Sequence, residues 1–112
     1  MILYEGDIRA FKNAVNRNKL ASYMASVFER KYSRKITIEL QREWNYSLKC
    51  LYGIVVNAEV SEDCCIRLDF VLSQYCSRLE ALLAGRDLEN RQHIVMIELL
   101  PWRESMVSDQ ED

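Results

Sequence analysis

Histidine and proline occur once each in these 112 residues, glycine occurs three times, and no two cysteines have CxxC spacing. Each scarcity excludes a chemistry. A lone His93 supports no Ser-His-Asp or Cys-His nucleophile set, and at the start of an apolar run it reads as structural. Gly6, Gly53 and Gly85 are too scattered to form a phosphate-cradling loop. Cys50, Cys64, Cys65 and Cys76 lie far from His93, and neighbours such as Cys64 and Cys65 bridge only with strain. They read as reduced thiols of a cytoplasmic protein rather than as zinc ligands. Met1-Ile2-Leu3-Tyr4 gives way at once to Glu5, Gly6 and Asp7, so no leader pattern is present. No apolar stretch approaches membrane-spanning length, and the expectation is an intracellular chain with no membrane partner. Excess charge is lacking too. The formal net charge is −2, and Asp109, Glu111 and Asp112 supply three negatives, which leaves the rest at about +1. That balance makes no case for tight non-specific nucleic-acid binding by the whole surface, although local basic patches remain open.

What is present is a globular composition, 49% apolar and 29% charged. One domain is expected over residues 1–102, followed by an acidic, frayed tail over 103–112. Asp7 reads as an N-cap. Ile8, Phe11, Val15, Leu20, Met24, Val27 and Phe28 recur at helical spacing, predicting one long helix to about Tyr32. Its other face carries Arg9, Lys12, Arg17, Lys19 and Arg30, which suits an ordinary solvated face or a nucleic-acid-facing one. Ser33 to Lys35 form a polar break, and Thr37 can cap a second helix. That helix runs to about Val56 with Trp44, Leu48, Leu51, Tyr52 and Val55 inward. Gly53 near its end marks fraying or close packing.

From Cys64 the period shortens to two. Ile66, Leu68, Phe70 and Leu72 alternate with Cys65, Arg67, Asp69 and Val71, the pattern of a strand. Ser73 to Ser77 reads as a turn. Arg78 to Gly85 suits a strand better than a short helix, because Gly85 to Gln92 then becomes a polar hairpin loop before the apolar run His93 to Leu100. Pro101 ends that run, since it cannot donate to a ladder. The fold class predicted is α+β: two N-terminal helices packed on a three-stranded antiparallel meander.

Glu98 stands inside that apolar run, and an ionised carboxylate in a buried strand needs a partner. A hairpin loop centred near Glu89 sets Glu80 opposite Glu98. A turn centred between Gln74 and Tyr75 sets Asp69 opposite Glu80, so three acids share one face of the sheet. Such a cluster holds a hard cation, magnesium or manganese before zinc. Otherwise it is neutralised by Arg67, Arg78 or helix lysines, or reaches solvent at a sheet edge.

The order of elements, with Trp44 and Ser47-Leu48 on the second helix, Arg78-Leu79-Glu80, Gly85-Arg86-Asp87 and Ile97-Glu98-Leu99-Leu100-Pro101-Trp102, resembles one family. It is similar to the N-terminal domain of bacterial Schlafen-related, helicase-like proteins, in which a PD-(D/E)XK nuclease-like module precedes a P-loop ATPase. The resemblance implies a truncated restriction-endonuclease-like core, with Glu80 at the first metal-binding acid, Glu98 at the second, and Asp69 at a strand acid ahead of the motif. The motif lysine falls on Leu100, which offers neither donor nor charge to an attacking water or a phosphate. Glu80 is also longer than the family's Asp. The function implied is that of a degenerate nuclease-like module that binds nucleic acid or scaffolds, with Arg78 and Arg103 as candidate nucleic-acid contacts and a P-loop ATPase domain as a candidate neighbour. Two alternatives stand beside it. One is an active magnesium-dependent nuclease in which Arg78 or Arg103 replaces the lysine. The other is a homo-oligomerising interaction domain that pairs through an open sheet edge.

Overall fold

The computed structural model describes residues 1–72 and 77–100. Its elements run β1 (Ile2–Asp7), α1 (Ile8–Asn16), α2 (Leu20–Tyr32), α3 (Ile38–Asn57), β2 (Cys65–Leu72), β3 (Ser77–Arg86) and β4 (Gln92–Leu99). The sheet is fully antiparallel in the order β1-β2-β3-β4. The class is therefore the expected α+β, with one strand and one helix more than the sequence pattern predicts. No helix among the described residues is long and apolar enough to cross a membrane.

The added strand is β1, whose Ile2 pairs with Asp69 and whose Asp7 pairs with Cys65, with a register shift between Ile2 and Tyr4. Asp7 then caps α1, its carboxylate accepting from the Ala10 N–H at 2.7 Å. The long helix is in fact two. Val15 and Leu20 are five residues apart, so a continuous helix would turn Asn18 and Lys19 inward where apolar side chains belong. The chain breaks there instead, with Asn18 at φ 55°, a left-handed conformation that Asn tolerates better than most residues. Thr37 caps α3 as expected, accepting from the Leu40 N–H at 3.1 Å. Gly53 lies inside that helix with open space where a Cβ would stand, so neither fraying nor close packing accounts for it.

One core joins these elements. Ile66, Leu68 and Phe70 of β2 and Leu79 and Ala81 of β3 are buried beneath Phe11, Met24, Phe28, Trp44, Leu48 and Leu51 of the helices. Phe70 anchors an aromatic cluster, with its ring centroid 5.4 Å from Trp44 and 5.8 Å from Phe28 in edge-to-face contact. Residues 78–84 are strand, not helix, and the β3–β4 hairpin has the expected register, with Arg86 opposite Gln92. Gly85 lies in close approach to Cys64: a Cβ there would meet its Sγ, and that thiol would have to turn away. Of the expected turn from Ser73 to Ser77, Ser77 opens β3; residues 73–76, Pro101, Trp102, Arg103 and the acidic tail lie outside the described residues.

One expectation is corrected. The run around Glu98 is not a buried strand. β4 is an edge with Ile94 60%, Val95 52% and Met96 61% exposed, and Glu98 is exposed as well. Its apolar character therefore gives no desolvation reason for Glu98 to need a partner.

Candidate metal and nucleic-acid site

Alternation along β2 and β3 buries one face of the sheet against the helices and leaves the other to Arg67, Asp69, Arg78, Glu80 and Leu82, all partly exposed. Across that face Asp69 is paired with Glu80, and Glu80 with Glu98. Directly opposed residues of an antiparallel ladder have Cβ atoms about 4.5–5.5 Å apart, so the three acids form one continuous row. Ile2 of β1, opposite Asp69, completes it. This is the register expected from the two hairpins.

The carboxylates of Asp69 and Glu80 are each turned toward a cation on their own strand. Residues two apart on a strand share a face, and both arginines use that spacing. Arg78 donates to Glu80 Oε1 from Nε at 3.1 Å and from Nη2 at 2.9 Å. Arg67 Nε lies 3.3 Å from Asp69 Oδ2, yet the angle is poor and this buried nitrogen lacks a proper hydrogen bond. The two acids are 20–21% exposed, so these pairs are partly shielded from water. Glu98 has no ion pair among the described residues. The neutralising arginines foreseen from the sequence are thus Arg67 and Arg78. No three His, Cys, Asp or Glu side chains among the described residues converge closely enough to share a metal ion. The donor set is nonetheless all hard oxygen, which suits magnesium or manganese. Assembling it requires Asp69 and Glu80 to swing away from their arginines toward Glu98.

Leu100, on which the resemblance sets the motif lysine, is 65% exposed. Arg103 lies outside the described residues, so of the two candidate basic contacts only Arg78 is placed, and its guanidinium is held by Glu80.

Two further charge groups flank the sheet. In the β3–β4 loop, Asp87 accepts from the Glu89 and Arg91 N–H groups, each at 2.9 Å, while His93 Nε2 lies 2.8 Å from its Oδ2. The His93 contact, then these backbone donors, hold the Asp87 carboxyl below its ordinary range. His93, with its ring largely exposed, is thereby tied to the Asp87 of this loop. On α1, Arg9 and Lys12 both turn to Glu62, at 2.8 and 3.9 Å. The hydrogen bond from Arg9 is the main cause that lowers the Glu62 pKa. That pairing removes two of the five cations that the sequence placed on a single helical face.

Comparison with family models, with curated proteins and with solved structures finds no match for this chain.

Proposed function

We propose that this chain is a nuclease-like, nucleic-acid-binding module that has lost the chemistry of cleavage. The observation that carries the reading is the cross-strand row Asp69–Glu80–Glu98 on the sheet face away from the helices. The resemblance to the N-terminal nuclease-like domain of Schlafen-related proteins supports it, because the acids of that motif fall on this row. Glu80 and Glu98, with Asp69, would hold a magnesium or manganese ion. Such an ion supplies positive charge to a phosphate oxygen. Leu100 supplies no proton and no charge to a developing phosphorane, so binding is retained and hydrolysis is not. If the chain belongs to a longer protein, a P-loop ATPase domain is the neighbour that the resemblance implies.

The test is thermal unfolding in EDTA and in millimolar MnCl2 or MgCl2. A metal-dependent rise in Tm that Glu98→Gln abolishes supports the site, and no rise overturns the metal part of the reading. Leu100→Lys then probes the chemistry: nicking of a supercoiled plasmid in Mn2+ by the variant alone supports a lost lysine. Nicking by the unmodified protein would establish instead the active-nuclease reading, with Arg78 or Arg103 in the lysine's place.

A second reading has its own observation. β4 is an edge strand whose Ile94, Val95 and Met96 are all more than half exposed, covering both of its faces. Unpaired backbone groups beside apolar side chains form a template for another strand, and a second copy is the simplest source. Light scattering after size exclusion checks it, with a dimer expected and Val95→Lys returning it to monomer. A monomer at high concentration removes this reading.

A further inference from the structure

Four cations stand within six residues where α2 ends: Arg30, Lys31, Arg34 and Lys35. All four are exposed, and none is in an ion pair among the described residues. Arg30 donates Nε only to the Ser26 carbonyl of its own helix, at 3.3 Å. Cations in a helix's last turn offset its dipole, which accounts for Arg30 and Lys31. It does not account for Arg34 and Lys35, which follow Ser33, the residue at φ 55° that turns the chain out of the helix. Tyr32, among them, rests on Phe28 with centroids 4.8 Å apart yet is 46% exposed, so its ring is fixed and still open to a partner. Unneutralised like charges held this close repel one another; the phosphates of a polyanion neutralise them, and the counterions that the polyanion then sheds favour the binding.

Position distinguishes this cluster from the chain's other cations. Arg30 and Lys31 line one open depression with Val27, Met1 and Ile2. Ile2 is the register partner of Asp69, so the depression opens at the β1 end of the acid row. From Ile2 to Glu98 the row spans three strand spacings, about 14 Å, the axial length of about four phosphates along one strand of a duplex.

We propose that Arg30, Lys31, Arg34 and Lys35, with Tyr32 between them, bind the phosphate backbone of a nucleic acid that crosses the β1 edge toward the Asp69–Glu80–Glu98 row. This rests on the nucleic-acid reading above and names the surface that supplies the affinity. Backbone contacts carry no sequence information, so binding is indifferent to base sequence and steeply dependent on salt.

The experiment is fluorescence anisotropy with a labelled 20-nucleotide single strand and the matching duplex, between 50 and 200 mM KCl, in EDTA so that no metal contributes. The protein is compared with the quadruple variant Arg30→Gln, Lys31→Gln, Arg34→Gln, Lys35→Gln, and with Arg42→Gln, Lys49→Gln on α3 as a control. The expected result is a slope of log K against log[KCl] shallower by about 3 in the quadruple variant, with at least a tenfold loss of affinity at 50 mM and no comparable change in the control. An unchanged slope overturns the proposal, and so does failure of the unmodified protein to bind either probe. Binding to phosphatidylserine vesicles without DNA binding overturns it in favour of a membrane surface. The metal-dependent Tm is read separately on the same variant, so failure of this patch is distinguishable from failure of the acid row.

Discussion

Glu98→Lys reverses one charge at the end of the acid row, and the size of its effect is set by the register. Glu80 and Glu98 are directly opposed, which puts their Cβ atoms about 5 Å apart and lets the carboxylates, when turned toward each other, lie at a similar distance. Two like charges at that distance in water repel by about 0.8 kcal/mol, and physiological salt removes part of this. Reversing one charge removes the repulsion and adds an attraction of similar size. Because Glu98 is exposed and Arg78 already holds Glu80 at 2.9 Å, the net gain is discounted to about 1 kcal/mol. For a domain of this length that is a Tm rise of about 4 °C. The variant should therefore be the more stable protein in EDTA, measured by urea unfolding at pH 7. Saturating Mn2+ should reverse the order. An ion at 100 times its Kd adds about 2.7 kcal/mol to the unmodified protein and nothing to a row that now carries lysine. A destabilised variant in EDTA refutes the direct opposition of Glu80 and Glu98, and a variant that still gains stability from Mn2+ refutes their assignment as ligands.

Other substitutions test the frame that holds the row. Gly53→Ala has free space for its methyl group inside α3 and should stabilise by about 0.5–1 kcal/mol, read from the urea midpoint. Trp44→Ala removes the buried ring between Phe28 and Phe70 and should cost about 3–5 kcal/mol, enough to lower the thermal midpoint by well over 10 °C. The Asp87 carboxyl lies below its ordinary value of 3.8 in the folded chain, so it favours folding above the unfolded pKa. That contribution disappears as pH falls through the lower folded value. Amide exchange at Glu89 and Arg91 should therefore accelerate in strong acid, and Asp87→Asn should shift or erase that acid dependence.

The local order of the site was legible because its neighbours are close in sequence. Asp69, Glu80 and Glu98 fall on consecutive strands separated by only a few residues, and a hairpin's loop length together with its alternation of apolar residues sets the register. The same holds for the caps at Asp7 and Thr37, which need only a side chain three residues before a backbone N–H. The break in the first helix was also written in the chain, in the five-residue step from Val15 to Leu20, but a stripe of helical spacing on either side hid it.

By itself the sequence determined the two hairpins, the caps, the inward Trp44 and the alignment of three acids. Each of these depends on residues near one another along the chain. Tertiary structure alone decided that Ile2–Asp7 becomes a strand beside β2, since its partners lie about sixty residues away and six residues carry too little pattern to name them. It also decided that the apolar run around Glu98 lies at an edge where, among the described residues, Ile94, Val95 and Met96 are left exposed. Hydrophobicity states what a strand can bury, whereas burial depends on which elements reach it. The helices cover β2 and β3 and reach β4 only at Ile97 and Leu99, which pack on the core, leaving Ile94, Val95 and Met96 outside it.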